Sequence, residues 1–132
     1  MNYAELQAAF AKNEDKMSAL GRAILCNRSF TDMATNDERN AYVDRAVALA
    51  NSEMTDDELV ELRSRSADAL KRLAAKLTAT QPPQTARRIN MPVWNSWVDV
   101  LPEDASKVHQ EIDALARNYS ACKAVLAFRS AK

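Results

Sequence analysis

Residues 102–128 read PEDASKVHQEIDALARNYSACKAVLAF, and the fold is decided there. Val108, Ile112, Leu115, Tyr119, Cys122 and Leu126 recur at alternating spacings of four and three residues, the period of one face of an α-helix. Pro102 suits a first helical turn, and Glu103 and Asp104 favour the positive end of the helix dipole. The spacing predicts a helix from Pro102 to about Phe128, with a narrow apolar seam suited to left-handed packing at about 20°.

Upstream, two further helices announce their own starts. Thr35 with Glu38, and Thr55 with Glu58, have the T-x-x-E spacing of a capping box. They predict helices from 35 to about Asn51 and from 55 to about Thr78. The first has Tyr42, Val43, Ala46, Val47 and Ala50 as its apolar face; the second has Leu59, Leu62, Leu70, Leu73 and Leu77, with Ser66 at the seam. At the N-terminus, Tyr3, Leu6, Phe10, Met17, Leu20 and Ile24 predict one helix over 3–27, interrupted in pattern at Asn13 and capped by Asn2 and Glu5. Residues 26–35 then read as a turn, with Phe30 and Met33 folding back onto the core.

Pro82-Pro83 stops the third helix, because proline lacks the backbone donor and restricts the residue before it. Between 80 and 101 the pattern is irregular, and Pro92 is expected to open a short helix carrying Trp94, Trp97, Val98 and Leu101. The fold class is therefore all-α: an antiparallel bundle of four main helices plus a short helix in the 80–101 connection, forming one domain over 1–132.

Composition agrees. The 132 residues include one glycine, where average usage of about 7% would place roughly nine, and 24 alanines. Phosphate loops, tight hairpins and dinucleotide folds need glycine where φ is positive, and Gly21 alone does not supply them. Alanine in turn permits close helix approach. Eighteen basic and 18 acidic residues cancel, so no strong positive field points to extended nucleic acid. The N-terminus lacks the features of a signal peptide, and no apolar run approaches the roughly 18 residues of a membrane span. Cys26 and Cys122 are too far apart for a CxxC motif, and both are expected to be small buried hydrophobes. A cytoplasmic chain without membrane association is the expectation.

No catalytic or metal constellation emerges. His109 is the only histidine, and Asp113 is the one carboxylate placed to share its helix face. Cys122 lies 13 residues further, about 20 Å along one helix, beyond reach as a nucleophilic partner. A lone histidine on a helical bundle suits a phosphotransfer domain, but KVHQEIDA lacks the Lys-Gly such domains carry after it. The acidic run Asp56, Asp57, Glu58 and Glu61 complements a helix N-terminus, which is explanation enough.

The 80–101 connection is different. Helix connections in bundles usually take about 2–8 residues, and this one spends about twenty. It holds both tryptophans, adjacent Arg87 and Arg88, and three of the four prolines. Trp and Arg are the types most enriched at binding hot spots, and proline lowers the ordering cost of an extended segment. Two readings stand side by side: a recognition segment anchored by Trp94 and Trp97 with Arg87 and Arg88 binding anions, or tryptophans capping the bundle beside solvated arginines.

The expectation is a non-enzymatic interaction protein, an adaptor or inhibitor, that binds a protein partner through 80–101 and adjacent helix faces. Self-association into a homo-oligomer is expected from alanine-rich seams. The alternative is an anionic ligand, a nucleotide or single-stranded nucleic acid, held by Arg87 and Arg88 with a tryptophan stacked on a base. No cofactor and no metal are expected.

Overall fold

The computed structural model describes residues 2–12, 18–32, 34–79, 87–91, 96–100 and 105–130; at 28, 29, 76–79, 105, 106 and in the two strands it describes the backbone alone. Six helices and two strands occur among them: α1 Tyr3–Lys12, α2 Ala19–Leu25, α3 Arg28–Thr31, α4 Asn36–Ala50, α5 Asp56–Ala79, β1 Arg87–Met91, β2 Ser96–Val100 and α6 Ala105–Ser130. The chain is predominantly helical, as the periodicity predicts. No helix among the described residues is long and apolar enough to cross a membrane.

The predicted caps form. Glu5 N–H donates to Asn2 Oδ1 at 2.9 Å, Glu38 N–H to Thr35 Oγ1 at 3.3 Å, and Glu58 N–H to Thr55 Oγ1 at 3.2 Å. Each satisfies a backbone donor that a helix start leaves without a partner.

The single helix expected over 3–27 is instead two. Ser18 has an extended backbone, φ −61° and ψ 150°, and its Oγ accepts from Gly21 N–H at 3.1 Å. A serine hydroxyl that caps a new helix cannot also sit in the middle of an old one, so α2 starts afresh at Ala19. Gly21 is thus in the first turn of a short helix rather than mid-helix, and it is buried. The stretch expected as a turn after Cys26 contains the single turn α3. Phe30 folds into the core as expected, and Met33 lies outside the described residues.

The core gathers around α6, against which α2, α4 and α5 pack. Ala116, Ala121 and Ala124 on α6 and Ala46 on α4 are fully buried in this core. On α4 the buried set is Tyr42, Val43, Ala46 and Leu49; Val47, expected inside, is 39% exposed. The buried face of the helix is therefore turned slightly from the predicted one, with Leu49 inside in place of Val47. On α5, Leu59 and Leu70 are buried, and Ser66 is accommodated by donating to Leu62 O at 2.9 Å. Leu70, Val108 and Ile112 are buried apart from the main cluster, where α5 and α6 pack together.

Polar ties pin the ends. Arg129 Nη1 donates to Met54 O at 2.7 Å and Asp56 Oδ1 at 2.9 Å, setting the C-terminal end of α6 beside the start of α5. Buried Asn27 donates from Nδ2 to Ser120 O at 2.9 Å, and Tyr42 Oη donates to Ile24 O at 2.9 Å. These two bonds hold the corner between α2 and α3 against α6 and α4.

The short helix expected from Pro92 is not formed by the described residues of that segment, which pair as an antiparallel ribbon. Arg87 is opposite Val100, Arg88 opposite Asp99, Ile89 opposite Val98, Asn90 opposite Trp97 and Met91 opposite Ser96. Ile89, Met91, Val98 and Val100 alternate with polar positions, a period of two that the helical reading overlooked. Four residues, 92–95, separate the strands in sequence, and connections of that length are not confined to the glycine-dependent turns of two-residue loops.

Candidate functional site

The ribbon closes the long connection, with β2 beside α5 and β1 beside α6. A two-stranded hairpin is marginal alone, so its approach to two helices is what gives it a defined place. Cross-strand partners share a face and neighbours along a strand alternate. Ile89, Met91, Val98 and Val100 therefore occupy one face with Arg87 and Ser96. Arg88, Asn90, Trp97 and Asp99 occupy the other.

This register reorganises the predicted site. Arg87 and Arg88 are consecutive in β1 and so belong to opposite faces. Arg88 and Trp97 come onto the same face as diagonal neighbours, with Asp99 opposite Arg88. Trp94 falls in 92–95, outside the described residues. The ribbon thus brings together one arginine and one tryptophan of the four predicted residues.

His109 is exposed on α6. One turn on, Asp113 is half-buried, and one turn further Arg117 grips Glu38 of α4. Burial pushes the Asp113 carboxyl above its ordinary value; Glu38 pushes it further, against the pull of His109 and Arg117. Two carboxylates and one guanidinium form a charged seam between α4 and α6. Among the described residues, no group of three or more His, Cys, Asp or Glu is arranged to hold a metal ion.

The cysteines part company. Cys122 is fully buried, as expected, and burial pushes its thiol up against the opposing pull of Arg45 and Arg63. Cys26 is exposed, contrary to expectation. It is the C-cap of α2, where the chain turns toward α3 and leaves its side chain outside the core.

Cys26 also lies on a groove that the sequence reading missed. A space of about 470 Å³ opens between α1 and the corner of α2 and α3. Tyr3, Gln7, Phe10, Ala11, Leu25, Cys26, Thr31 and Asp32 line it. The available signal was the spacing of Tyr3 and Phe10, seven residues and two helical turns apart. Only the break at Ser18, which lets α2 and α3 fold beside α1, creates the opposite wall. No family model matches the chain, and no curated protein or solved structure does either.

Proposed function

We propose that this chain is a non-enzymatic interaction protein, an adaptor or inhibitor, built as an antiparallel bundle of four main helical segments. It engages a protein partner through the 80–101 segment and the adjacent helix faces. The observation that supports this reading is the ribbon: Arg88 and Trp97 share one of its faces while its apolar positions share the other. A short amphipathic ribbon set beside two long helices presents a small, ordered recognition surface at little further entropic cost. Two free cysteines accord with a reducing, cytoplasmic setting.

Affinity capture from the native cell tests the reading. A partner retained by the wild type and by Arg87→Ala/Arg88→Ala, but lost with Trp94→Ala/Trp97→Ala, supports it. The second reading, an anionic ligand such as a nucleotide, draws on the two arginines in β1 and the absence of any acid in that strand. Salt-dependent nucleotide binding lost in the arginine variant selects it instead. Self-association belongs to the same proposal, and light scattering that returns the 14.7 kDa of one chain at micromolar concentration refutes it.

A further inference from the structure

The groove beside α1 has a chemical character of its own, separate from the 80–101 segment. Its body is apolar and aromatic, from Tyr3, Phe10, Ala11 and Leu25. Among the described residues, Asp32 is its only charged lining residue and no Lys or Arg lines it. Asp32 has no ion pair or hydrogen bond among the described residues. Phe10, which lines the groove, is 38% exposed although it is one of the largest apolar side chains of α1.

We propose that this groove binds a small organic cation with an aromatic or branched alkyl body, its charge set at Asp32 and its body against Tyr3 and Phe10. The volume of about 470 Å³ falls in the range of small-molecule sites. Aromatic faces attract cations through their quadrupole. Tyr3 already does so: the Arg39 guanidinium stands 5.4 Å from its ring centroid. An anion meets the Asp32 carboxylate and is repelled. A neutral apolar body desolvates that carboxylate without replacing its hydration. A cation with an apolar body satisfies both parts of the lining.

Cys26 on the groove wall reports occupancy without taking part in it, and buried Cys122 is its internal control. The folded protein is treated with a cationic trimethylammonium-ethyl methanethiosulfonate and with its anionic sulfonate counterpart. Each rate is divided by that reagent's rate with 2-mercaptoethanol, and mass spectrometry confirms the labelled cysteine. The normalised rate at Cys26 is expected to favour the cation over the anion by about sixteenfold, since one carboxylate at ~5 Å in water-like dielectric speeds the cation and slows the anion by about fourfold each. Asp32→Asn, a change at an exposed position, is expected to abolish the preference without altering the melting curve. Benzyltrimethylammonium is expected to slow labelling at Cys26, and Phe10→Ala to weaken that protection while leaving the charge preference. Equal normalised rates, a preference that survives Asp32→Asn, or equal protection by neutral benzyl alcohol overturns the proposal. Protection unchanged in Phe10→Ala overturns the aromatic part of the site.

Discussion

Glu38 and Arg117 are joined across α4 and α6 by three hydrogen bonds, from Arg117 Nη2 at 2.7 and 3.0 Å and from Nε at 3.3 Å. Glu38 is therefore two things at once. Its N–H completes the Thr35 cap, and its carboxylate ties the start of α4 to the middle of α6. The side chains are 22% and 30% exposed, so water screens this pair only in part. Arg117→Ala is expected to destabilise the fold by about 1–2 kcal/mol, after allowance for that exposure. Arg117→Lys should recover little of the loss, because an ammonium lacks the planar fork. Urea denaturation of the two variants and of Glu38→Gln measures the effect; a Lys variant as stable as wild type refutes the forked geometry.

Asp113 adds a pH dependence. Burial, with Glu38 adding to it, raises its carboxyl above the ordinary value in the folded state. The folded chain then holds this proton more tightly than the unfolded chain does. The contribution to stability is fully present below the unfolded value of 3.8 and is lost as pH rises through the higher folded value. Asp113→Asn is therefore expected to be more stable than wild type at pH 7 and nearly equal to it near pH 3. Melting temperatures of both proteins across that range decide the point, and a variant less stable at neutral pH contradicts it.

Tyr42 is fully buried, its ring edge-on to Phe30 with centroids 5.1 Å apart and its hydroxyl donating to Ile24 O. Tyr42→Phe keeps the ring and removes the donor, leaving a buried carbonyl one bond short. The expected cost is about 1–2 kcal/mol. Tyr42→Ala empties the ring site as well and is expected to cost about 3–5 kcal/mol. Chemical denaturation that finds the two variants equal refutes the separate worth of the ring.

Ser18→Ala tests the division of the first helical stretch. Loss of the Oγ that receives Gly21 N–H should cost about 1 kcal/mol. Ser18→Asp, which restores a capping acceptor, should regain most of it. In one continuous helix the order reverses, because alanine is the better interior residue. Thermal melts of the two variants separate these outcomes.

The sequence was most legible where the signal is local. Caps at Thr35 and Thr55 place α4 and α5 within about one residue of their starts, because a hydroxyl three residues from an N–H needs nothing else from the fold. The heptad of α6 gives its central role, since Ile112 and Cys122 lie at its seam and are buried. The ribbon was hidden by a competing interpretation. Trp94, Trp97, Val98 and Leu101 have helical spacing, while Ile89, Met91, Val98 and Val100 have strand spacing, and Val98 belongs to both. Periodicity alone cannot choose between them; a partner strand can.

By itself the sequence determined that this chain is helical, where its long helices begin, and that its 80–101 segment departs from them. Those properties rest on hydrogen bonds and side-chain spacing within a few residues of one another. Only the tertiary structure decided the break at Ser18, the choice of Leu49 over Val47, the ribbon register and the exposure of Cys26. Each of these depends on what a distant segment places opposite: α6 beside α4, β2 beside β1, and the corner of α2 and α3 facing α1. The apolar groove, with Asp32 as the only charged residue of its described lining, belongs to this second class, since no stretch of the chain contains it until two helices meet.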